Sequence, residues 1–150
     1  MEQVAPQFKA FVKYQQPRFS ELIRRFTIGL NLSYLNQDLH PIERFKQISR
    51  QDRELTFELI RLDSEMAICD LQERIGVNPR FALYEELLGF AEKFPDEQRR
   101  FKIAALGSEM DIEGHLYIPF LWGDESERTL HLCSIERSLG KEARLLVVRE

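Results

Sequence analysis

The chain has 150 residues, a formal net charge of −4, and 43% hydrophobic and 31% charged residues. This length fits a single domain, and the composition is ordinary for a protein with a core of its own. No run of apolar residues is long enough to cross a bilayer, which excludes a membrane-spanning segment. Because the first residues lack the apolar centre of a secretory signal and there are only two cysteines, we expect a cytoplasmic protein with reduced thiols.

Charge is distributed unevenly along the chain. Residues 1–53 carry nine Lys/Arg and five Asp/Glu, whereas residues 54–150 carry twelve and twenty. The basic first third can attract phosphate or an acidic partner. The acidic balance of the whole chain disfavours nucleic acid as a partner, because neutralisation of phosphates dominates that kind of binding.

The first third is predicted to be mainly helical. Residues 1–16 are interpreted as a loosely attached N-terminal helix, and Pro17 begins an amphipathic helix with apolar residues at helical spacing. Residues 26–34 alternate between apolar and polar, which favours a strand over a helix. Pro41 then begins a short helix.

Residues 52–75 have two interpretations. The first is one helix, favoured by helical propensity, by Gly76 as a C-terminal stop and by an apolar stripe. The stripe consists of Leu55, Leu59, Leu62, Met66 and Cys69. The second is a hairpin in which residues 55–59 alternate as one arm, residues 62–65 turn and Met66 begins the return.

The second half changes from helix to strand. Residues 78–95 are predicted to form a helix with Asn78 as the cap, and residues 96–106 a short helix that Gly107 ends. Three strands follow, at residues 115–122, 129–135 and 143–148. The predicted fold class is α+β: N-terminal helices packed against a C-terminal antiparallel β-meander of about three or more strands, in a single domain over residues 1–150.

The hairpin over residues 116–135 is the most informative segment. If Trp122 lies opposite Thr129, Phe120 lies opposite His131. Both faces of the first arm are apolar enough to be covered, one by helices and the other by a second layer, a partner or a second copy. Pro119 cannot donate to a ladder, so this arm is predicted to be an edge strand or to carry a bulge. Because partners add at edges, the candidate interface residues are Tyr117, Phe120, Trp122 and Arg128.

No catalytic residue, metal site or cofactor is predicted. His131 and Cys133 share a strand face and supply at most two ligands, whereas zinc takes three or four. Residues 109–114 look like the start of a calcium loop, but its twelfth position is Phe120 instead of a bidentate Glu. Since the spacing required for nucleophilic catalysis is also missing, the sequence favours a binding protein over an enzyme.

Residues 68–87 resemble a helix-turn-helix. The shared features are apolar residues around Gly76 followed by a second helix. The resemblance implies that the helix after Asn78 enters the major groove and that the 116–135 hairpin forms a wing. The acidic residues of that helix, Glu85, Glu86 and Glu92, would be repelled by phosphate.

The hairpin also resembles the closing strands of PAS-type sensor domains, in its apolar strand containing Pro119, its charged loop and its second apolar strand. The resemblance implies a small ligand between sheet and helices, near Tyr117, Phe120 and His131.

Three functions therefore remain open. The leading hypothesis is a non-enzymatic regulatory or adaptor module that binds another protein, including a second copy of itself. The alternatives are a PAS-like small-ligand sensor and a helix-turn-helix-like nucleic-acid binder.

Overall fold

The computed structural model describes residues 7–12, 52–74, 76, 78–112, 114–126 and 128–150. These residues form two α-helices, a 3-10 turn at Glu97–Arg99 and ten strands. The elements in chain order are β1 (Gln7–Val12), β2 (Arg53–Arg61), β3 (Met66–Ala67), α1 (Ile68–Gln72), β4 (Arg80–Phe81), α2 (Tyr84–Lys93), β5 (Lys102–Ala104), β6 (Met110–Ile112), β7 (His115–Gly123), β8 (Arg128–Ser134), β9 (Ser138–Leu139) and β10 (Ala143–Arg149).

Eight of these strands form one mixed sheet. Its main path is β1-β2-β10-β5-β7-β6, with β4 paired to β10 and β8 paired to β7. The β5–β10 pair is parallel and the other pairs are antiparallel. Strands β3 and β9 form a separate two-stranded sheet. Among the described residues, no helix is long and apolar enough to cross a membrane.

The predicted fold class is wrong, because the described chain is mostly β and its helices do not precede a C-terminal meander. The three C-terminal strands exist as predicted, but β10 lies between β2 and β5 in the middle of the sheet. The helix predicted over residues 1–16 is wrong at Gln7–Val12, which form β1. The elements predicted over residues 17–50 lie outside the described residues.

The single helix over residues 52–75 is also wrong. Arg53–Arg61 form β2, in which Leu55 and Phe57 are buried while their neighbours are more exposed. The hairpin alternative predicted this arm, but the return at Met66–Ala67 pairs with β9 instead of β2. The helical propensity of Leu, Glu and Arg is overridden because the strand has sheet partners on both sides and buries alternate residues.

Helix α2 is the predicted helix with a later start. It begins at Tyr84, whose N–H donates to Ser108 Oγ at 2.8 Å, and the Leu83 N–H donates to the Glu86 carboxylate at 2.8 Å. Asn78 is therefore not the cap, and its side-chain amide instead donates to the Glu150 carbonyl at 2.7 Å. The short helix predicted over residues 96–106 is replaced by the 3-10 turn and β5.

The two faces of the sheet bury two separate cores. The α2 face, defined as the face that α2 covers, has the larger core. Its members include Phe57, Leu87, Phe90, Leu121, Leu130 and Leu146. The α1 face, defined as the opposite face, is covered by α1 and the β3–β9 sheet. Its members include Ile68, Leu71, Ile118, Phe120, Leu139, Leu145 and Val147. Because residues alternate along a strand, β7 and β10 contribute to both cores.

The register of the β7–β8 hairpin is confirmed. Trp122 lies opposite Thr129 and Phe120 opposite His131. The prediction that Pro119 marks an edge strand is wrong, because β7 has partners on both sides. The Pro119 carbonyl accepts a hydrogen bond from the Ala105 N–H at 3.1 Å, so the missing donor faces the gap between β5 and β6. Strand β8 pairs only with β7 among the described strands.

Candidate functional site

A cavity of about 490 Å³ opens beside β8, mainly on the α1 face. Its lining comes from β5, β7, β8, β9 and the connection between β8 and β9. The lining residues are Lys102, Tyr117, Phe120, His131, Leu132, Cys133, Ser134, Arg137, Ser138 and Leu139. The volume lies within the range of about 300–1,000 Å³ that small-molecule sites occupy.

Lys102 is placed at this cavity by the sheet register. Ile103 lies opposite Leu121, so one further step along the antiparallel pair brings Lys102 next to Trp122. Its Nζ lies 5.0 Å from the centroid of the Phe120 ring and 5.2 Å from that of Trp122. These cation–π contacts hold the ammonium without neutralising it. Within the described ranges, no salt bridge involves Lys102.

His131 also lines this cavity. Its ring stacks on Phe120 with a centroid separation of 5.1 Å and an interplanar angle of 20°. Its Nε2 lies 2.8 Å from Thr129 Oγ1. Burial, and then the positive charge of Lys102, hold the pKa of His131 below its usual value, which favours the neutral imidazole at pH 7.

Arg137 also lines this cavity, and it belongs to the connection between β8 and β9. The segment that carries it is tied to α1, because the Ile68 N–H donates to the Arg137 carbonyl at 2.9 Å and the Cys69 N–H donates to the Ile135 carbonyl at 3.0 Å. Burial raises the pKa of the Cys133 thiol, while the charges of Lys102 and Arg137 act in the opposite direction. Both cations are therefore close enough to Cys133, on β8, for their charges to act on its thiol.

The charge of the cavity differs from that of the chain. The whole sequence has 25 Asp/Glu and 21 Lys/Arg. Yet Lys102, Arg137 and His131 are the titratable nitrogen groups of the lining, and none of its described members is Asp or Glu. Like Lys102, Arg137 makes no salt bridge to any described carboxylate. A cavity with these properties attracts an anion.

A smaller cavity of about 250 Å³ adjoins the first. Trp122, Gly123, Asp124, Thr129 and His131 line it, so the two cavities share His131. Trp122 is 52% exposed, which is unusual for so large an apolar side chain.

The hairpin that carries these residues is fastened to the 3-10 turn. Gln98 is buried, and its Nε2 donates to the Trp122 carbonyl at 2.8 Å and to the Thr129 carbonyl at 3.2 Å. Arg99 donates to the carbonyls of Asp124 and Glu125 at 2.8 and 3.0 Å. The charged tip is therefore held by contacts within the chain, and the backbone of Trp122 is fixed in place.

The structure brings together most of the residues singled out from sequence. Tyr117, Phe120 and His131 all line the larger cavity, although the Tyr117 side chain also packs against the α2-face core. Arg128 does not reach it: its guanidinium donates to the Ala91 carbonyl at 2.7 Å and to Gln98 Oε1 at 3.3 Å.

Sequence reasoning missed Lys102 and Arg137. Lys102 fell in a segment predicted to be helical, so its position beside Trp122 could not be derived from the sequence pattern. Arg137 lies three residues beyond β8, in the short connection to β9, where strand periodicity gives no direction to a side chain.

In the part of the chain that the structure describes, no three His, Cys, Asp or Glu residues are grouped to hold a metal ion. The two helices of the helix-turn-helix resemblance are separated by β4 and pack on opposite faces of the sheet. That arrangement lacks the two-helix corner on which the nucleic-acid alternative depended.

Comparison of the chain with protein-family models, with curated proteins and with solved structures found no match.

Proposed function

We propose that this protein is a non-enzymatic binding module that takes a small anionic ligand in the larger cavity beside β8. The observation that carries the proposal is the lining itself: Lys102 and Arg137 face a cavity of about 490 Å³ in which no described lining residue is acidic. The proposal retains the ligand-pocket candidates Tyr117, Phe120 and His131, and adds the two cations that supply the charge.

The physical basis is electrostatic. Two unit charges about 4 Å apart attract by about 1 kcal/mol in bulk water and by about 4 kcal/mol near a protein surface. Charge-assisted hydrogen bonds from an ammonium and a guanidinium strengthen this attraction. His131 and Ser134 also line the cavity and have polar atoms that can contact the ligand. Phe120 and Leu139 supply apolar surface, so the cavity also suits a ligand with an apolar part.

The proposal is tested by isothermal titration calorimetry with inorganic phosphate at pH 7. We expect the wild-type protein to bind phosphate, and Lys102→Gln and Arg137→Gln each to weaken binding by about tenfold, which corresponds to about 1.4 kcal/mol. Lys9→Gln is the matched control, because Lys9 is an exposed lysine on β1, at the other end of the sheet path. Equal weakening by the control, or no binding by the wild type, contradicts the proposal.

A second candidate function is self-association through β8, a version of the expectation that the protein binds another protein or itself. It is supported by the exposed Trp122 ring and by the position of β8, which pairs only with β7 among the described strands. A large aromatic beside an edge strand is a common anchor for a partner. Light scattering after size-exclusion chromatography tests it. A mass twice the 17.8 kDa of one chain, lost in Trp122→Ala, supports the idea, and a wild-type monomer contradicts it.

A further inference from the structure

We infer that the ligand joins its anionic group directly, or through a short linker, to a planar ring, as in an aromatic phosphate or carboxylate. This inference rests on the proposed function, because it assigns the anionic group to Lys102 and Arg137 in the larger cavity. It adds a second subsite, the smaller cavity, in which the ring lies against Trp122. The two cavities share His131, so one molecule can occupy both.

The ring subsite is argued from the state of Trp122. Its carbonyl accepts hydrogen bonds from Gln98 at 2.8 Å and from the Thr129 hydroxyl at 2.9 Å, so this part of the backbone is held by two contacts. Its indole is nevertheless 52% exposed and borders a cavity of about 250 Å³. An aromatic side chain that is exposed beside a cavity can act as a stacking platform for a planar ring. Gly123, which follows it, adds no side chain to the cavity.

The short linker is argued from distance. Lys102 Nζ lies 5.2 Å from the centroid of the Trp122 ring. An anionic oxygen in hydrogen-bond contact with Nζ, at about 3 Å, therefore lies no more than about 8 Å from the centroid of the Trp122 ring. A ligand with its charge and its ring far apart cannot use both groups, whereas an aryl phosphate or a nucleoside monophosphate can.

Inorganic phosphate alone fills only half of this site. It meets Lys102 and Arg137 but leaves Trp122 exposed. The inference therefore predicts a difference between ligands: adding a ring to phosphate tightens binding, and the gain depends on Trp122 and not on other exposed aromatics. Phe11 supplies the control, because it is 55% exposed on β1 and lies outside both cavities.

The test compares phenyl phosphate and AMP with inorganic phosphate, and with phenol and adenosine as uncharged ring controls. Trp122 is the single tryptophan of the chain, so its fluorescence reports the ring subsite directly. We expect at least one aromatic phosphate to bind about tenfold more tightly than inorganic phosphate and to change the fluorescence. In calorimetry, Trp122→Ala should abolish this gain, Trp122→Phe should keep part of it, and Phe11→Ala should leave it intact.

The outcomes separate this inference from the function on which it rests. If all three phosphates bind equally and Lys102→Gln weakens all of them, the anion site stands and the ring subsite is wrong. If none of them binds, both are wrong. If phenol or adenosine binds as tightly as its phosphate, the anionic group has no role, and both the proposed function and this inference are overturned.

Discussion

The two faces of the sheet are built from the same strands but differ in what covers them. On the α2 face, Phe90 is fully buried and contacts the rings of Phe8, Phe57 and Phe94 at centroid distances of 5.2–5.6 Å. On the α1 face, Phe120 is almost buried. Trp122, two residues further along β7, is half exposed and lies beside Lys102. Along β7, Leu121 is buried in the α2-face core, whereas its neighbours Phe120 and Trp122 line cavities on the α1 face.

The difference follows from the size of the covering layers. Helix α2 has ten residues, eight of them buried from Tyr84 to Ala91. On the α1 face, α1 has five residues, and β3 and β9 have two each. These short elements bury Ile118 and Val147 but leave the β5–β7–β8 corner open. The α2 face is therefore closed by its covering helix, whereas the β5–β7–β8 corner of the α1 face remains open as a cavity.

The largest expected difference in the free energy of unfolding is between two alanine variants, each of which lacks an aromatic side chain from one face. Phe90→Ala removes a buried ring with three aromatic neighbours and should lower the free energy of unfolding by about 3–5 kcal/mol. Trp122→Ala removes a half-exposed ring and should cost about 1 kcal/mol or less. Urea unfolding of both variants measures the difference. Similar losses would mean that the α1-face corner is as much a part of the core as the α2 face.

The next comparison uses two cations with different surroundings. Arg80 makes two hydrogen bonds of 2.7 Å to the buried carboxylate of Glu86, whereas Lys102 makes no salt bridge to any residue in the described ranges. Arg80→Met removes the guanidinium that neutralises Glu86 and should cost about 3–5 kcal/mol. Lys102→Met should cost about 1 kcal/mol or less, because only its cation–π contacts are lost. Thermal and urea unfolding measure both, and a large loss in Lys102→Met would assign Lys102 a structural role.

The smallest expected effect is a dependence of stability on pH through His131. Its pKa is lowered in the folded state by burial and by Lys102, so the unfolded chain takes up this proton at a higher pH than the folded protein. As pH falls from 7 to 5, the wild type should therefore lose stability relative to His131→Gln, and it should regain it as pH rises. Lys102, Cys133, Arg137 and Asp124 line the same two cavities as this histidine. Urea unfolding of both proteins at several pH values provides the measurement, and parallel curves would contradict the assignment.

A bound anion should act in the opposite direction on His131, because a negative charge favours the imidazolium. Sulfate is the useful probe, since its charge does not change between pH 5 and 7. We expect sulfate to bind more tightly at pH 5 than at pH 7 in the wild type, and with a smaller pH dependence in His131→Gln. An unchanged pH dependence in the variant would place the anion away from the histidine.

Local pairing could be predicted from the sequence, whereas global placement could not. The β7–β8 register followed from a short loop between two apolar arms, and the existence of α2 from its apolar spacing. The position of β10 between β2 and β5 depends on contacts far apart in the chain, which local periodicity does not encode. One signal was available: residues 143–148 form a nearly continuous apolar run, which is typical of a strand buried on both faces.

In the candidate site, too, the residues placed by local pairing could be predicted, and those placed by the sheet topology could not. Phe120 and His131 were paired from the hairpin alone, and both line the cavity. Lys102 arrives from β5, which the sequence pattern assigned to a helix, and Arg137 from a short connection. The sequence therefore predicted the aromatic part of the site and not its charge, because the charge comes from segments that only the sheet topology brings to β8.

The most direct test of the anion site is a titration of isotope-labelled protein with inorganic phosphate, followed by the backbone amide resonances in two-dimensional NMR. The account predicts saturable shifts at Lys102, at residues 131–134 and at residues 137–139, with residues of β1 unchanged. Shifts that are centred elsewhere, or that do not saturate, would contradict the assignment of this cavity as the binding site.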